Sequence, residues 1–252
     1  MTERLKDKIL KGKSIPFKLN NEISFNIDSR TRATFESFLL NTEINNFISF
    51  TKNKVCLLDI GAHHGVFSLV FTTNHPHKTA FAFDPSPRVF DLLSFNIKIN
   101  PKNNIKAYQC VVGDNNEPVA MKFESINQLS AVGEKENVKK HKKSVIFETI
   151  TMDQFISKHN IQPDVIKIDT EGFEYQVLKG GYNYLKTHDP LLFLEIHPPK
   201  LLNHRLSVIK IKELLDELGY KNIYDLDGNI IKEPEKFFDY KVPAYRTIVR
   251  KN

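Results

Sequence analysis

Asp59, Asp84, Asp169, Glu195 and His197 each stand at or just beyond the end of a short, largely apolar run. Parallel strands bring their carboxyl ends to one edge of a sheet, where a crevice holds nucleotide-like ligands, so these five side chains should converge on one cleft. The stretch Val55 to Gly65, VCLLDIGAHHG, reads as a buried strand, a tight turn and the start of a helix. Gly61 and Gly65 let the backbone approach a ligand, and the following helix presents free N–H groups there. Asp59 supplies an acceptor where a pyrophosphate cradle would use a further glycine, which suits a ligand carrying positive charge or hydrogen-bond donors. Asp84 follows 19 residues beyond Gly65, about the distance at which βαβ folds place the acid that binds ribose hydroxyls. Lys167 and Asp169 share one side of a strand, as do Glu195 and His197. A lysine inside a parallel strand is costly unless paired, so Lys167 should meet a carboxylate.

The elements that position these residues alternate in type. Strands are expected at Thr79 to Phe83, Ile105 to Val112, Val165 to Ile168 and Leu191 to Ile196, with a helix capped by Ser86 and opened by Pro87. A short helix is expected from Met152 to His159, and another from about Gly172 to Lys179, stopped by Gly180 and Gly181. Val208 to Leu218 reads as an amphipathic helix ended by Gly219, and Asn222 to Leu226 with Tyr245 to Arg250 as a closing antiparallel pair. Val119 to Phe123 and Ser144 to Ile150 read as a hairpin-like insertion around a lysine-rich loop of about 20 residues. Ahead of the first core strand lie a short strand or hairpin near Ile23 to Ile27 and one helix-like segment from Thr31 to Phe50. The spacing of Phe35, Phe38, Leu39, Ile44, Phe47 and Ile48 predicts a helix packed over the sheet or a lid. The pattern gives an α/β chain with an N-terminal extension over residues 1–50 and a binding domain over 51–252.

Of the 252 residues, 40% are hydrophobic and 26% charged, and no apolar run approaches the roughly 20 residues of a membrane span. The charged N-terminus lacks the apolar centre of a secretory signal, so a cytoplasmic location is expected. Cys56 and Cys110 both fall in predicted strands and read as small core residues. The net charge of +6 points to anionic partners, although its one dense run, Lys139 to Lys143 within residues 134–143, is a lysine-rich loop without interleaved aromatics.

The glycine pattern G-x-x-x-G lacks the middle glycine of a nicotinamide fingerprint and favours a sulfonium cofactor over a dinucleotide. DIGAHHG, the acidic-Pro-x-Pro turn from Asp84 to Pro87, Thr151-Met152-Asp153, KIDTEGFE with its downstream VLKGG, and LEIH together resemble the FkbM family of S-adenosylmethionine-dependent methyltransferases. Members often carry asparagine where His63 stands and glutamate where Asp84 stands; both changes keep a hydrogen-bonding group. The resemblance covers about residues 55–200. It implies a class I methyltransferase, Rossmann-like fold: a doubly wound seven-stranded sheet whose last strand is antiparallel. It also implies methylation of a hydroxyl oxygen on a sugar, glycan or natural-product small molecule.

In such a site Asp84, Pro85 and Ser86 would hold the ribose, and Gly61, Ala62, His63 and Gly65 the amino-acid moiety and ribose. Val111, Val112 and Gly113 would border adenine, with Asp59 and Asp169 near the amino-acid or sulfonium end. An alcohol is a poor nucleophile while protonated, so methyl transfer needs a base beside a positioned acceptor. The candidates are His197, Asp169, Glu171 and Glu195, with Lys167 orienting or balancing charge. Asp169, Glu195 and His197 could also hold a divalent metal, although no short ligand motif supports one. Two other readings compete: a nucleic-acid-binding protein or RNA methyltransferase using the basic insertion, and a catalytically silent methyltransferase fold kept for interaction.

Overall fold

The computed structural model describes residues 12–39, 41–125, 128–131, 144–233 and 241–251. In chain order the strands are β1 (Ser14–Lys18), β2 (Ser24–Asp28), β3 (Cys56–Ile60), β4 (Thr79–Phe83), β5 (Ile105–Tyr108), β6 (Val111–Gly113), β7 (Val119–Ser125), β8 (Gln128–Ala131), β9 (Ser144–Phe147), β10 (Thr149–Thr151), β11 (Val165–Ile168), β12 (Leu191–Ile196), β13 (Asn222–Tyr224) and β14 (Tyr245–Arg250). The α-helices are α1 (Arg32–Glu36), α2 (Thr42–Phe50), α3 (Val66–Thr72), α4 (Pro87–Lys98), α5 (Met152–His159), α6 (Glu174–Gly180), α7 (Tyr182–Thr187), α8 (Pro198–Leu201) and α9 (Val208–Leu218). Seven strands form one sheet in the order β13-β14-β12-β11-β3-β4-β5, in which β14 runs antiparallel to both its neighbours. This is the class I methyltransferase arrangement that the resemblance implies.

Alternation along each strand sends neighbouring side chains to opposite faces, and both faces are buried. Leu57, Val165, Leu191 and Phe193 join one core with residues of β1, β2, α2 and α3, while Leu58, Ile166, Leu192 and Leu194 join another with residues of α5, α6, α7 and α9. The N-terminal segment is fastened to the first of these cores. Phe35 meets Phe17 and Phe25 edge-on at 5.5 and 5.7 Å, and Phe47 meets Phe67 and Phe193 at 4.9 and 5.1 Å, contacts that favour T-shaped geometry.

Two expectations from sequence need correction. The segment from Thr31 to Phe50 is not one helix: Asn41 accepts a hydrogen bond from the Glu43 backbone N–H and caps a new helix, α2, after the short α1. The strand expected from Ile105 to Val112 breaks after Tyr108, because β6 leaves the main sheet to pair in parallel with β10. The stop expected at Gly180 and Gly181 is present, since α6 ends at Gly180 with Gly181 as its cap; α7 follows at once, and a Cβ at Gly180 would lie 1.8 Å from the Gly113 carbonyl oxygen. Close packing of α6 on β6 therefore explains the small residue. The insertion does contain antiparallel strands, β8-β7-β9. Its lysine-rich stretch, residues 134–143 with Lys139 to Lys143, lies outside the described residues.

Candidate functional site

The carboxyl ends of β3, β4, β11 and β12 open into a cavity of about 440 Å³, within the range typical of small-molecule sites. At its β3 end the turn is laced to both neighbouring strands. Gly61 and Ala62 donate their N–H groups to the Phe83 carbonyl at 2.9 Å, and Asp169 donates its own to the Ile60 carbonyl at 3.0 Å. Gly61 has φ +82°, and a Cβ there would sit 1.7 Å from the Asp169 carbonyl oxygen.

The β4 end carries Asp84. Asp84 accepts from the His63 backbone N–H at 3.0 Å and the Ser86 N–H at 2.9 Å, leaving lone pairs on the carboxylate for a ligand. Burial pushes its pKa up to about 7. Ser86 is in the cap position of α4, but its Oγ makes no capping bond; the atom is buried without a hydrogen-bond partner among the described residues. His63 lines the cavity, stacked on His64 at 3.8 Å, and burial lowers its pKa and favours the neutral ring. Pro85, Val111, Val112 and Phe173 supply an apolar wall.

Opposite Asp84 lies a cluster of charge. Lys167 Nζ is 3.3 Å from Asp169 Oδ2, the pairing expected of a strand lysine. Burial opposes the Lys167 charge, but Asp169, Asp59, Glu43 and Glu195 together outweigh it and hold the ammonium above its ordinary range. Burial likewise works against the Asp169 charge, and Lys167 and His197 overcome it, so that carboxylate stays below its usual range. Glu171 pairs with Lys200. Glu195 is 3.1 Å from Arg246, which also reaches Glu43 at 2.9 Å. Burial, reinforced by Asp169, raises Glu195 to about 7.

Of the residues singled out from sequence, Gly61, Ala62, His63, Asp84, Pro85, Ser86, Val111, Val112, Lys167, Asp169, Glu171 and Glu195 all line the cavity. Asp59, Gly65, Gly113 and His197 stand behind that lining. Asp59 is fully enclosed and accepts from Ser68 Oγ at 2.7 Å. Gly65 caps α3, and Gly113 packs under Phe173 and Thr149. Sequence reasoning missed Arg246, Glu43, Glu174 and Thr34; Phe38, expected in a helix packed over the sheet or a lid, reaches the cavity wall together with Thr34. For Arg246 the signal is register alone, since β14 sets it opposite Glu195.

Asp169, Glu195 and His197 bring potential ligand atoms within 4.8 Å of one another, but both carboxylates already have cationic partners. Lys167 and Arg246 already balance the two carboxylates. Burial opposes a charge on His197, yet the Glu174 hydrogen bond and charge, with Asp169 and Glu171, push its pKa up to about 9. Among the described residues, no helix is long and apolar enough to cross a membrane.

Residues 59–221 match the model of the Methyltransferase FkbM domain. The chain is 28% identical over 171 residues, 65% of its length and 66% of the relative's, to the hexuronic acid methyltransferase AglP of Haloferax volcanii. It is 24% identical over 142 residues, 49% of its length and 57% of the relative's, to Methyltransferase 1 of Beauveria bassiana. It thus spans less than two thirds of the length of these curated relatives. Among solved structures, the methyltransferase FkbM from Methylobacillus flagellatus shares the fold with a TM-score of 0.50, at 17% identity over 79% of this chain and 44% of the other. The family match runs from Asp59, near the end of β3, past the ends of β4, β11 and β12 that open into the cavity, to the residue before β13, and on that span the chain belongs to the FkbM methyltransferase family.

Proposed function

We propose that this protein transfers a methyl group from S-adenosylmethionine to a hydroxyl oxygen of a sugar or glycan. The observation that carries this reading is the single cavity joining Asp84 at one end to Asp169, Glu171 and Glu195 at the other: a donor site with a proton-accepting cluster beside it. The relative that modifies a hexuronic acid supports a sugar acceptor. Support also comes from the mixture of charged side chains with the rings of Phe38 and Phe67, which meet edge-on at 5.4 Å in the same wall.

When bound, S-adenosylmethionine supplies an electrophilic methyl carbon attached to a sulfonium. Asp84 and Ser86 Oγ hold ribose hydroxyls; the turn from Gly61 to His63 holds the amino-acid side; Pro85, Val111 and Val112 flank the base, with Gly113 keeping the layer beneath close. Asp169, kept ionised by Lys167, faces the positive end and is a weak base for the same reason. Glu195 takes the proton from the acceptor oxygen, because a carboxyl raised to about 7 combines a useful ionised fraction with real basicity near neutral pH. Arg246 holds Glu195 in place. The N-terminal segment, through Thr34 and Phe38, shields the reacting atoms from water.

Calorimetric titration of the full chain with S-adenosylmethionine tests the donor site. Asp84→Ala is expected to weaken binding by about 10–100-fold, the loss of a charge-assisted hydrogen bond to the ribose. The absence of measurable binding to the unmodified protein would sink the proposal. Transfer of a labelled methyl group to uronic-acid oligosaccharides, with RNA in parallel, tests the acceptor; label appearing in RNA alone would replace the sugar reading with the nucleic-acid one.

A further inference from the structure

Glu174 opens α6 and is completely enclosed, an unusual place for a carboxylate. Its Oε1 accepts the Gly172 backbone N–H at 2.8 Å and lies 2.9 Å from His197 Nδ1. Oε1 already serves as the acceptor of the Gly172 N–H, so in its contact with the ring His197 donates and Nδ1 carries a proton. The chain reaches this arrangement through left-handed steps at Glu171 (φ 58°) and Gly172 (φ 102°), which turn Glu174 back beneath the preceding loop.

With Nδ1 committed, the other ring nitrogen points at the cluster. His197 Nε2 is 3.5 Å from Glu171 Oε2, 3.8 Å from Asp169 Oδ1 and 3.8 Å from Glu195 Oε1. Those three carboxylates line the cavity and His197 does not. We propose that Glu174 and His197 form a buried positioning pair, in which Glu174 fixes the imidazolium by its Nδ1–H so that Nε2–H is presented to Asp169, Glu171 and Glu195 and keeps Glu195 ready to receive the acceptor proton. The kinetic consequence rests on the methyl-transfer reading; the pairing itself does not.

His197 faces Glu174 from α6, Asp169 and Glu171 from the loop after β11, and Glu195 from its own strand. Lys167, Lys200 and Arg246 stand behind Asp169, Glu171 and Glu195 in turn. A cation 3.8 Å from Glu195 favours its ionised form, so removing that cation raises the Glu195 pKa. Glu174→Gln removes an anion as well, but that anion lies on the far side of the ring, and the nearer imidazolium dominates.

The test combines NMR titration of the His197 ring with kcat measured against pH at saturating donor. In the unmodified protein the ring is expected to titrate near 9, and in Glu174→Gln to fall toward the ordinary 6.5. The acid limb of kcat moves up by about one pH unit, so the rate at pH 7 drops by up to about tenfold and returns at higher pH. His197→Gln shifts the limb in the same direction, and the double variant adds little beyond either single one. A merely structural Glu174 would lower Tm without moving the limb. An unmodified ring that titrates near 6.5 overturns the pairing even if the variants fail to fold, and so does an unmoved limb in a folded Glu174→Gln. The ring titration needs no acceptor, so a failure to find methyl transfer counts against the proposed function and leaves the pairing to be decided by NMR.

Discussion

Glutamine in place of Glu195 is expected to cut kcat by about 10²–10⁴-fold, the usual contribution of a positioned general base. Its affinity for S-adenosylmethionine should stay within about threefold, because the proposed donor site is centred on the Asp84 end. The variant isolates the proton-transfer role: its amide oxygen can still accept from Arg246, which lies 3.1 Å from Glu195 Oε1 and retains Glu43 at 2.9 Å. The pH dependence gives an independent sign. Glu195 acts only when ionised, and burial raises it to about 7, so kcat of the unmodified protein should climb from acid pH and level off above about 7. The variant should lose that limb. Asp84 is raised to about the same value, but its proposed role is to bind the donor, so saturating donor should confine its titration to KM. A variant retaining more than about one third of kcat would transfer the base role to Asp169 or Glu171.

The strand ends were legible because burial on both faces forces apolar runs, and a polar residue that interrupts such a run stands out. Asp59, Asp84, Asp169 and Glu195 were visible for that reason, and β4, β11, β12 and β14 have the bounds expected of them. Which acids face the cavity was not visible. Asp59 and Asp84 look alike in sequence, yet one is enclosed by Ser68 and the other opens onto the ligand space. Arg246 required the register of β14 against β12, a pairing between segments about 50 residues apart. Glu174 looked like an ordinary polar residue in the first turn of a helix, and only the fold puts it under His197. The same limit applies to charge: a chain of net +6 builds a cleft in which carboxylates surround a few buried cations, so whole-chain charge says little about what the site binds. The break after Tyr108 was hidden because the competing partner of β6 is β10, nearly 40 residues downstream.

The second large effect is expected at Gly61. Alanine there should cost about 2–5 kcal/mol, the sum of about 1–2 kcal/mol for a left-handed L-residue and about 1–3 kcal/mol for overpacking. For a chain of this size that lowers Tm by about 4–20 °C. Its Cβ would fall 1.7 Å from the Asp169 carbonyl oxygen, too close for any rotamer change to relieve, so the β11 end must move away from β3. That movement carries Asp169 with it, while the N–H groups of Gly61 and Ala62 are tied to Phe83 at the end of β4. Donor binding should therefore fail together with stability. Gly228→Ala separates the two contributions: its φ is +84° but no atom lies within 4 Å of the added Cβ, so it should pay only the backbone strain of about 1–2 kcal/mol and bind S-adenosylmethionine normally. Thermal melts and calorimetry on both variants decide the matter. Equal losses of stability, with binding intact in both, would mean that the β3 turn yields without disturbing Asp169; a loss of binding confined to Gly61→Ala would tie the donor site to the close approach of two backbones, a requirement that no side chain in DIGAHHG could meet in glycine's place.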